Sequence, residues 1–257
     1  MNVLNNFFSQ FRFDSARAGS IGIERERFLL SEEGTYAPSS EEFLKILDDG
    51  NWTHELSLCQ VEDRTRPEQS GLKIKLNLLE NDNLGSLAAR KLHVSFSEEE
   101  AAQENLPLLI YPSPRYREIA ASVSSARLSA ACRVAGTHIH MGVSNIEEAL
   151  MLHNALKNHL EVLCELGDHS NGLRLKLYKE MAIRWNPPIY EGAEHFFEIA
   201  KQEEFSENPK NCYHLVRISP YGTVECRVFG VTQHVDEIIE WVHTLSLIRK
   251  EVISNVE

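Results

Sequence analysis

The chain has 257 residues, 42% of them hydrophobic and 25% charged, a balance that can bury a core and excludes disorder as the dominant state. With 38 acidic against 26 basic side chains its formal net charge is −12, which argues against a nucleic-acid surface, since such a surface must be basic to displace condensed counterions. The five cysteines (Cys59, Cys132, Cys164, Cys212, Cys226) form no C-x-x-C pair and read as reduced intracellular thiols, not as zinc ligands or a disulfide framework.

The opening MNVLNNFFSQF lacks the basic stretch and small-residue cleavage site of a secretory leader. No apolar run approaches the ~20 residues that cross a bilayer, so a cytoplasmic protein without membrane contact is expected. No repeat, low-complexity tract or Gly/Ser linker divides the chain, so residues 1–257 are expected to form a single catalytic domain.

In chain order, SIGIERERFLL (20–30) is a strand with charge in its middle. Residues 40–48 form a short helix, with Ser39 and Glu42 as a capping box ahead of Phe43, Ile46 and Leu47. HELSLCQVEDRT (54–65) is a second strand. Thr65-Arg66-Pro67-Glu68 then starts a helix that runs through Leu72, Leu76 and Leu79. KLHVSFS (91–97) is a further strand, and Pro114 opens a helix through Tyr116, Ile119 and Val123 that leads into the strand CRVAGTHIHMGV (132–143).

Ser144 and Glu147 cap the clearest helix, whose stripe is Ala149, Leu152, Leu156, Leu160 and Leu163, with Gly167 at its end. Residues 168–192 show no clear period and end at Pro187-Pro188. A helix over 193–205 precedes a hairpin of YHLVRIS (213–219), the turn Pro220-Tyr221-Gly222 and TVECRVFG (223–230). The last helix is amphipathic through Val235, Ile238, Val242, Leu245 and Val252. Long connections with a single tight hairpin predict an α+β fold, an antiparallel or mixed sheet with helices on one face.

Four strands carry polar residues two apart: Glu24 and Glu26, Gln60 and Glu62, His138 and His140, Glu225 and Arg227. Side chains two apart in a strand share a face, so strands of one sheet gather these groups into one patch. Carboxylates and imidazole there, without matching lysines nearby in sequence, call for a cation. Oxygen ligands with a histidine suit Mg2+ or Mn2+ better than Zn2+. Mg2+ is commonly shared with substrate phosphates, which points to nucleotide chemistry, yet neither G-x-x-x-x-G-K-[ST] nor G-x-G-x-x-G occurs.

GIERERFLL (22–30), ELSLCQVEDRT (55–65), GTHIHMGV (136–143) and GTVECRVFG (222–230) resemble, in order, four blocks of the glutamate–cysteine ligase-like carboxylate–amine ligases of the glutamine-synthetase-like superfamily. PSPRYREIAASVSSARLSAACRVAGTHIH is similar to the passage before that family's histidine block. The resemblance implies a curved sheet with helices on its convex face and ATP and Mg2+ on its concave face. It also implies ATP-dependent activation of a carboxylate as an acyl phosphate, which an amine converts to an amide. Glu24, Glu26, Glu55, Glu62, His138 and Glu225 match metal-binding positions. Arg227 matches the arginine facing the phosphates, so Arg227 and Glu24 are the catalytic candidates, with Gln60 beside Arg227 as a nucleotide contact. The stretch 167–192 departs from the longer type-2 ligases and resembles the smaller amidoligase-type members, making Arg174, Tyr178 and Arg184 candidate substrate contacts, together with His140 and Arg217.

Small-molecule acid and amine substrates are the expected partners, and the sequence leaves homo-oligomerisation open. Two rival readings use the same residues: a metal-dependent amide or ester hydrolase, and an inactive binding module. Cys226, on the opposite parity to Glu225 and Arg227, reads as core and not as a nucleophile. His153, His159, His195 and His243 read as surface or boundary residues, and Ser97–Glu100 as a solvated acidic run.

Overall fold

The charged strand is the centre of the sheet. In the computed structural model, which describes residues 3–254, β1 (Ile21–Ser31) pairs antiparallel with β3 (Gln60–Arg64) on one side and β5 (Thr137–Gly142) on the other. Beyond these lie β2 (Trp52–His54) on β3, β7 (Thr223–Phe229) on β5, and β6 (Val216–Ser219) on β7, while β4 (Val94–Phe96) pairs with the far end of β1. Among the described residues the sheet has seven strands and every pairing between them is antiparallel, the first of the two expected arrangements. Residues 1–2, part of the segment on which the leader expectation rests, lie outside the described residues.

Alternation decides which face is which. Ile23, Ile139, Met141, Val216, Ile218, Val224, Cys226 and Val228 are buried on one face, where they join a core with Leu152 and Leu156 of α6 (Ile146–Asn158) and Leu163 of α7 (Leu160–Leu166). Phe196 of α9 (Ala193–Gln202) and Ile238, Trp241 and Leu245 of α10 (Val235–Ser254) complete it. Glu24, Glu26, His138, His140, Glu225 and Arg227 take the other parity. A second core of Phe28, Tyr36, Leu56, Cys59, Ala102, Leu106, Cys132, Ala135 and Val231 gathers around Phe28, which shares the parity of Glu24 and Glu26. It closes that end of the polar face.

Arg25 and Arg27, on the apolar parity of β1, do not pair with their neighbouring glutamates. Arg25 donates to Asp63 at 2.8 Å, Arg27 to Asp82 at 2.7 Å, and Asn81 donates to Asp63 at 2.9 Å. The desolvation of these buried charges is thus met by a bonded network that ties β1 and β3 to the helix below, α3 (Gly71–Leu92).

Several boundaries differ from expectation, each for a local reason. The stretch 54–65 is not one strand: β2 and β3 are an antiparallel pair, and the chain reverses through residues 55–59, where Gln60 N–H donates to the Ser57 carbonyl at 3.0 Å. Thr65 does not cap a helix; its Oγ1 accepts from Ile23 N–H at 3.0 Å, and α3 begins six residues later, behind Ser70. The buried face of α3 is Ile74, Leu78, Asn81, Gly85, Ala88 and Ala89, so Leu72, Leu76 and Leu79 are exposed instead of packed. Lys91 and Leu92 end that helix, leaving only three residues of the expected 91–97 strand.

Ser39 makes no side-chain capping bond to α2 (Ser40–Leu47). The helix opened by Pro114 is two: α4 (Pro114–Ser122), capped by Ser113, and α5 (Ser125–Cys132), capped by Ser124. The capping box of α6 is one residue later than expected, since Asn145 accepts from Glu148 N–H at 2.9 Å while the Glu148 carboxylate accepts from Ser144 N–H at 2.8 Å. That helix breaks at His159 into α6 and α7, yet the whole stripe from Ala149 to Leu163 is buried as expected. The unclear stretch after it contains α8 (Leu173–Met181). The hairpin of β6 and β7 turns at Gly222, with φ +74°, where a Cβ would lie 2.1 Å from the Arg12 carbonyl oxygen, so only glycine fits. His153 is buried, correcting its reading as a surface or boundary residue, and Ser97 and Glu100 are buried at the two ends of a run read as solvated, whereas His159 and His243 are exposed.

Candidate active site

Strand register assembles the polar face. Glu24 lies between Arg64 on β3 and His138 on β5, Glu26 lies opposite Glu62, Gly22 opposite His140, and His140 in turn opposite Glu225, whose other neighbour is Arg217. Residues from 22 to 225 in sequence thus occupy adjoining positions on five strands.

Within this patch two groups offer three ligand atoms each, all within 4.8 Å of one another: Glu24, His140 and Glu225, and Glu26, Glu55 and Glu62. Glu55 reaches the second group from the reversal after β2, which removes the phase conflict it has with Glu62 on a single strand. His138 stands between the groups, its Nδ1 3.8 Å from Glu24 and its Nε2 3.7 Å from Glu26. The sequence reading made His138 a metal ligand and His140 a substrate contact; the structure brings His140 into the first group and sets His138 between the two, within 4 Å of a carboxylate of each.

The electrostatics separate the two groups. Burial pushes Glu24 upward, but the imidazoles of His140 and His138 outweigh it and hold Glu24 well below the usual carboxylate range. Glu225, fully buried, is held low against the same desolvation by Arg217, whose Nε lies 2.7 Å from its carboxylate, by His140, and by Arg227, at 2.5 Å. In the second group burial and mutual repulsion prevail over the pull of Arg227 and Arg174 and over Arg64, 3.7 Å from Glu62. Burial and the neighbouring Glu55 charge raise Glu26 to about 8, and burial with Glu24 and Glu55 pushes Glu62 well above the ordinary range. Desolvation also lowers His138 to about 4, with Arg227 adding to the effect, so it stands as neutral imidazole. Among the described residues, the buried His138 Nδ1 and His140 Nε2 make no hydrogen bond, although His140 Nε2 lies 3.3 Å from the Glu24 carboxylate. Crowded carboxylates, Glu62 and Glu225 buried and the others half-buried, beside a buried His138 nitrogen without a hydrogen bond fit a divalent cation, which would supply the positive charge and the missing partner together.

Other expected residues do different work. Gln60 turns to the Phe28 end, donating to the Val134 carbonyl at 2.8 Å, and does not join the two groups. Arg174 donates to three carbonyls, those of Ala135, Val228 and Arg227 at 2.7, 2.9 and 3.0 Å, and so braces β7 against the segment that leads into β5. Tyr178 is buried too; its hydroxyl donates to the Tyr213 carbonyl at 3.0 Å and accepts from Arg227 Nε at 3.1 Å, placing the arginine. Arg184 lies exposed in the turn after α8, and no contact ties it to the patch among the described residues. Arg217 reaches the patch through Glu225. The sequence reading missed Arg64, two residues after Glu62 on the same face, although the same parity rule finds it.

The fold is that of the glutathione and glutamine synthetases. A bifunctional glutathione synthetase from Pasteurella multocida matches 98% of this chain and 41% of its own, with a TM-score of 0.62 and 13% identity. Plasmodium falciparum glutamine synthetase matches 99% of this chain and 55% of its own, with a TM-score of 0.50 and 11% identity. No family profile matches the chain. By sequence the chain is similar to glutamate–cysteine ligases. It is 27% identical over 199 residues to a glutamate–cysteine ligase 2-1 of Rhodococcus jostii assigned that role provisionally, covering 71% of this chain and 53% of the relative. It is 25% identical over 270 residues to the glutamate–cysteine ligase of Natronomonas pharaonis, covering 94% of this chain and 72% of that one. The chain thus spans about half the length of the first relative.

Proposed function

We propose that this chain is an ATP- and Mg2+-dependent carboxylate–amine ligase that forms an amide, of γ-glutamyl type, through an acyl phosphate. The observation that carries the reading is the pair of three-ligand groups on one sheet face, with the buried Nδ1 of His138 making no hydrogen bond between them. Glu24, His140 and Glu225 would hold one ion and Glu26, Glu55 and Glu62 another, with Mg2+ or Mn2+ as the fitting metals. Such ions neutralise the terminal phosphates of a bound nucleotide.

The chain's own residues do the rest. Arg227 is oriented by Tyr178 and Glu225, and its guanidinium is proposed to hold the oxygens of the transferring phosphoryl group. Glu24, kept ionised chiefly by His140, is the proposed catalytic carboxylate at the centre of the patch. The γ-phosphoryl passes to the substrate carboxylate and ADP leaves; the amine then attacks the acyl carbon and expels phosphate. No covalent enzyme intermediate is required, and Cys226 is buried on the opposite face. No helix among the described residues is long and apolar enough to cross a membrane. All five cysteines are free, four of them buried, which supports work in the reducing cytoplasm.

The test is ligation from a pool of amino acids and amines with ATP and Mg2+, read by mass spectrometry. An amide product with equal ADP and phosphate supports the ligase. Cleavage of an amide or ester without nucleotide supports a hydrolase, and no product together with no nucleotide binding supports an inactive module.

A further inference from the structure

The patch is crowded with negative charge, yet the substrates of a ligase are anions. Glu24, Glu26, Glu55, Glu62 and Glu225 converge there, and two of the three arginines on the strands' site face are already committed. Arg217 is bonded to Glu225 and to the Cys212 carbonyl at 2.6 Å, and Arg227 to Glu225 and Tyr178.

Arg64 is different. It is the direct cross-strand neighbour of Glu24 and shares a face with Glu62, so it belongs to the patch by register. Its guanidinium makes only a loose ion pair, 3.7 Å from Glu62, with no side-chain hydrogen bond among the described residues, and the side chain is 42% exposed. The backbone fixes its base: its N–H donates to the Asn51 carbonyl at 2.8 Å and its carbonyl accepts from Asn81 at 3.1 Å. Two residues before Glu24 on the same face stands Gly22, where a Cβ would meet nothing within 4 Å. The flank holding an uncommitted guanidinium therefore also holds open space.

We propose that Arg64 receives a substrate oxyanion, carboxylate or phosphate, at the open flank of the patch beside Gly22. The inference rests on the ligase reading and adds a binding residue to it. A planar guanidinium free of other bonds offers two parallel donors to such a group. It is also the positive charge an anion meets before the carboxylates repel it. In the absence of substrate, the contact with Glu62 holds the side chain in waiting.

The test is titration calorimetry on the full chain with saturating Mg2+, using wild type, Arg64→Ala and Arg64→Gln. The probes are the non-hydrolysable ATP analogue AMP-PNP and L-glutamate, and the thermal midpoint without ligand serves as fold control. With unchanged midpoints, at least roughly tenfold weaker binding of one probe to both variants is expected, as for loss of a charge-assisted pair. Loss confined to AMP-PNP assigns the oxyanion to the nucleotide, and loss confined to L-glutamate assigns it to the acid substrate. Both probes binding the variants within about twofold of wild type would overturn the role of Arg64 and leave the ligase reading standing. Wild-type protein binding neither probe would remove the ligase reading, and the proposal with it.

Discussion

Glu62 shows most clearly how a binding site costs stability. Its carboxyl is buried among Glu24, Glu26 and Glu55, and its pKa stands well above the ordinary range. Without metal, that crowding opposes the folded state, so Glu62→Gln is expected to raise the thermal midpoint of the metal-free protein by a few degrees while abolishing Mg2+-dependent ATP turnover. A lowered midpoint would mean that the carboxylate is stabilised by the fold. Outside the patch, His214 gives a pH signature. Its Nε2 lies 2.7 Å from Glu203, and against the desolvation of burial, Cys212 and Glu203 raise it to about 9. A histidine raised in the folded state stabilises fully below its unfolded value of ~6.5, and that contribution fades as pH rises through the folded value. Urea unfolding at pH 6 to 9.5 is expected to show an alkaline decline that His214→Gln flattens.

At the scale of elements, the structure corrects the sequence reading in ways that can be measured. Asn145, not Ser144, caps α6, so Asn145→Ala is expected to cost about 1 kcal/mol and Ser144→Ala only a few tenths by chemical denaturation. Gly85 sits inside α3, where propensity alone predicts that alanine stabilises by about 1 kcal/mol. A Cβ there would lie 2.7 Å from the Trp52 ring, so the close packing wins and Gly85→Ala is expected to destabilise by roughly 1–3 kcal/mol. The same contact explains why α3 presents Gly85, Ala88 and Ala89 to β2 and β4 and leaves Leu72, Leu76 and Leu79 outside. Hydrophobic periodicity identified the helix but picked the wrong stripe, because beyond Ile74 and Leu78 the right one is built of Asn81, Gly85, Ala88 and Ala89, whose signal is weak.

Across the whole molecule, what was legible followed the period of two. Parity alone placed Glu24, Glu26, Glu62, His138, His140, Glu225 and Arg227 on one face, and register then brought them together. Glu55 was out of phase because the reversal after His54 carries no glycine or proline to announce it. Arg174 and Tyr178 have the residue types of a substrate site, but only tertiary contacts show that their donors are spent inside the fold. The central claim is that these scattered groups act together as a metal-dependent nucleotide site. Its most direct test is calorimetric titration of ADP into chelator-treated protein, with and without Mg2+, for wild type and Glu24→Gln. The account predicts binding that requires Mg2+ and is lost in the variant; ADP binding of equal strength without metal, or no binding at all, would contradict it.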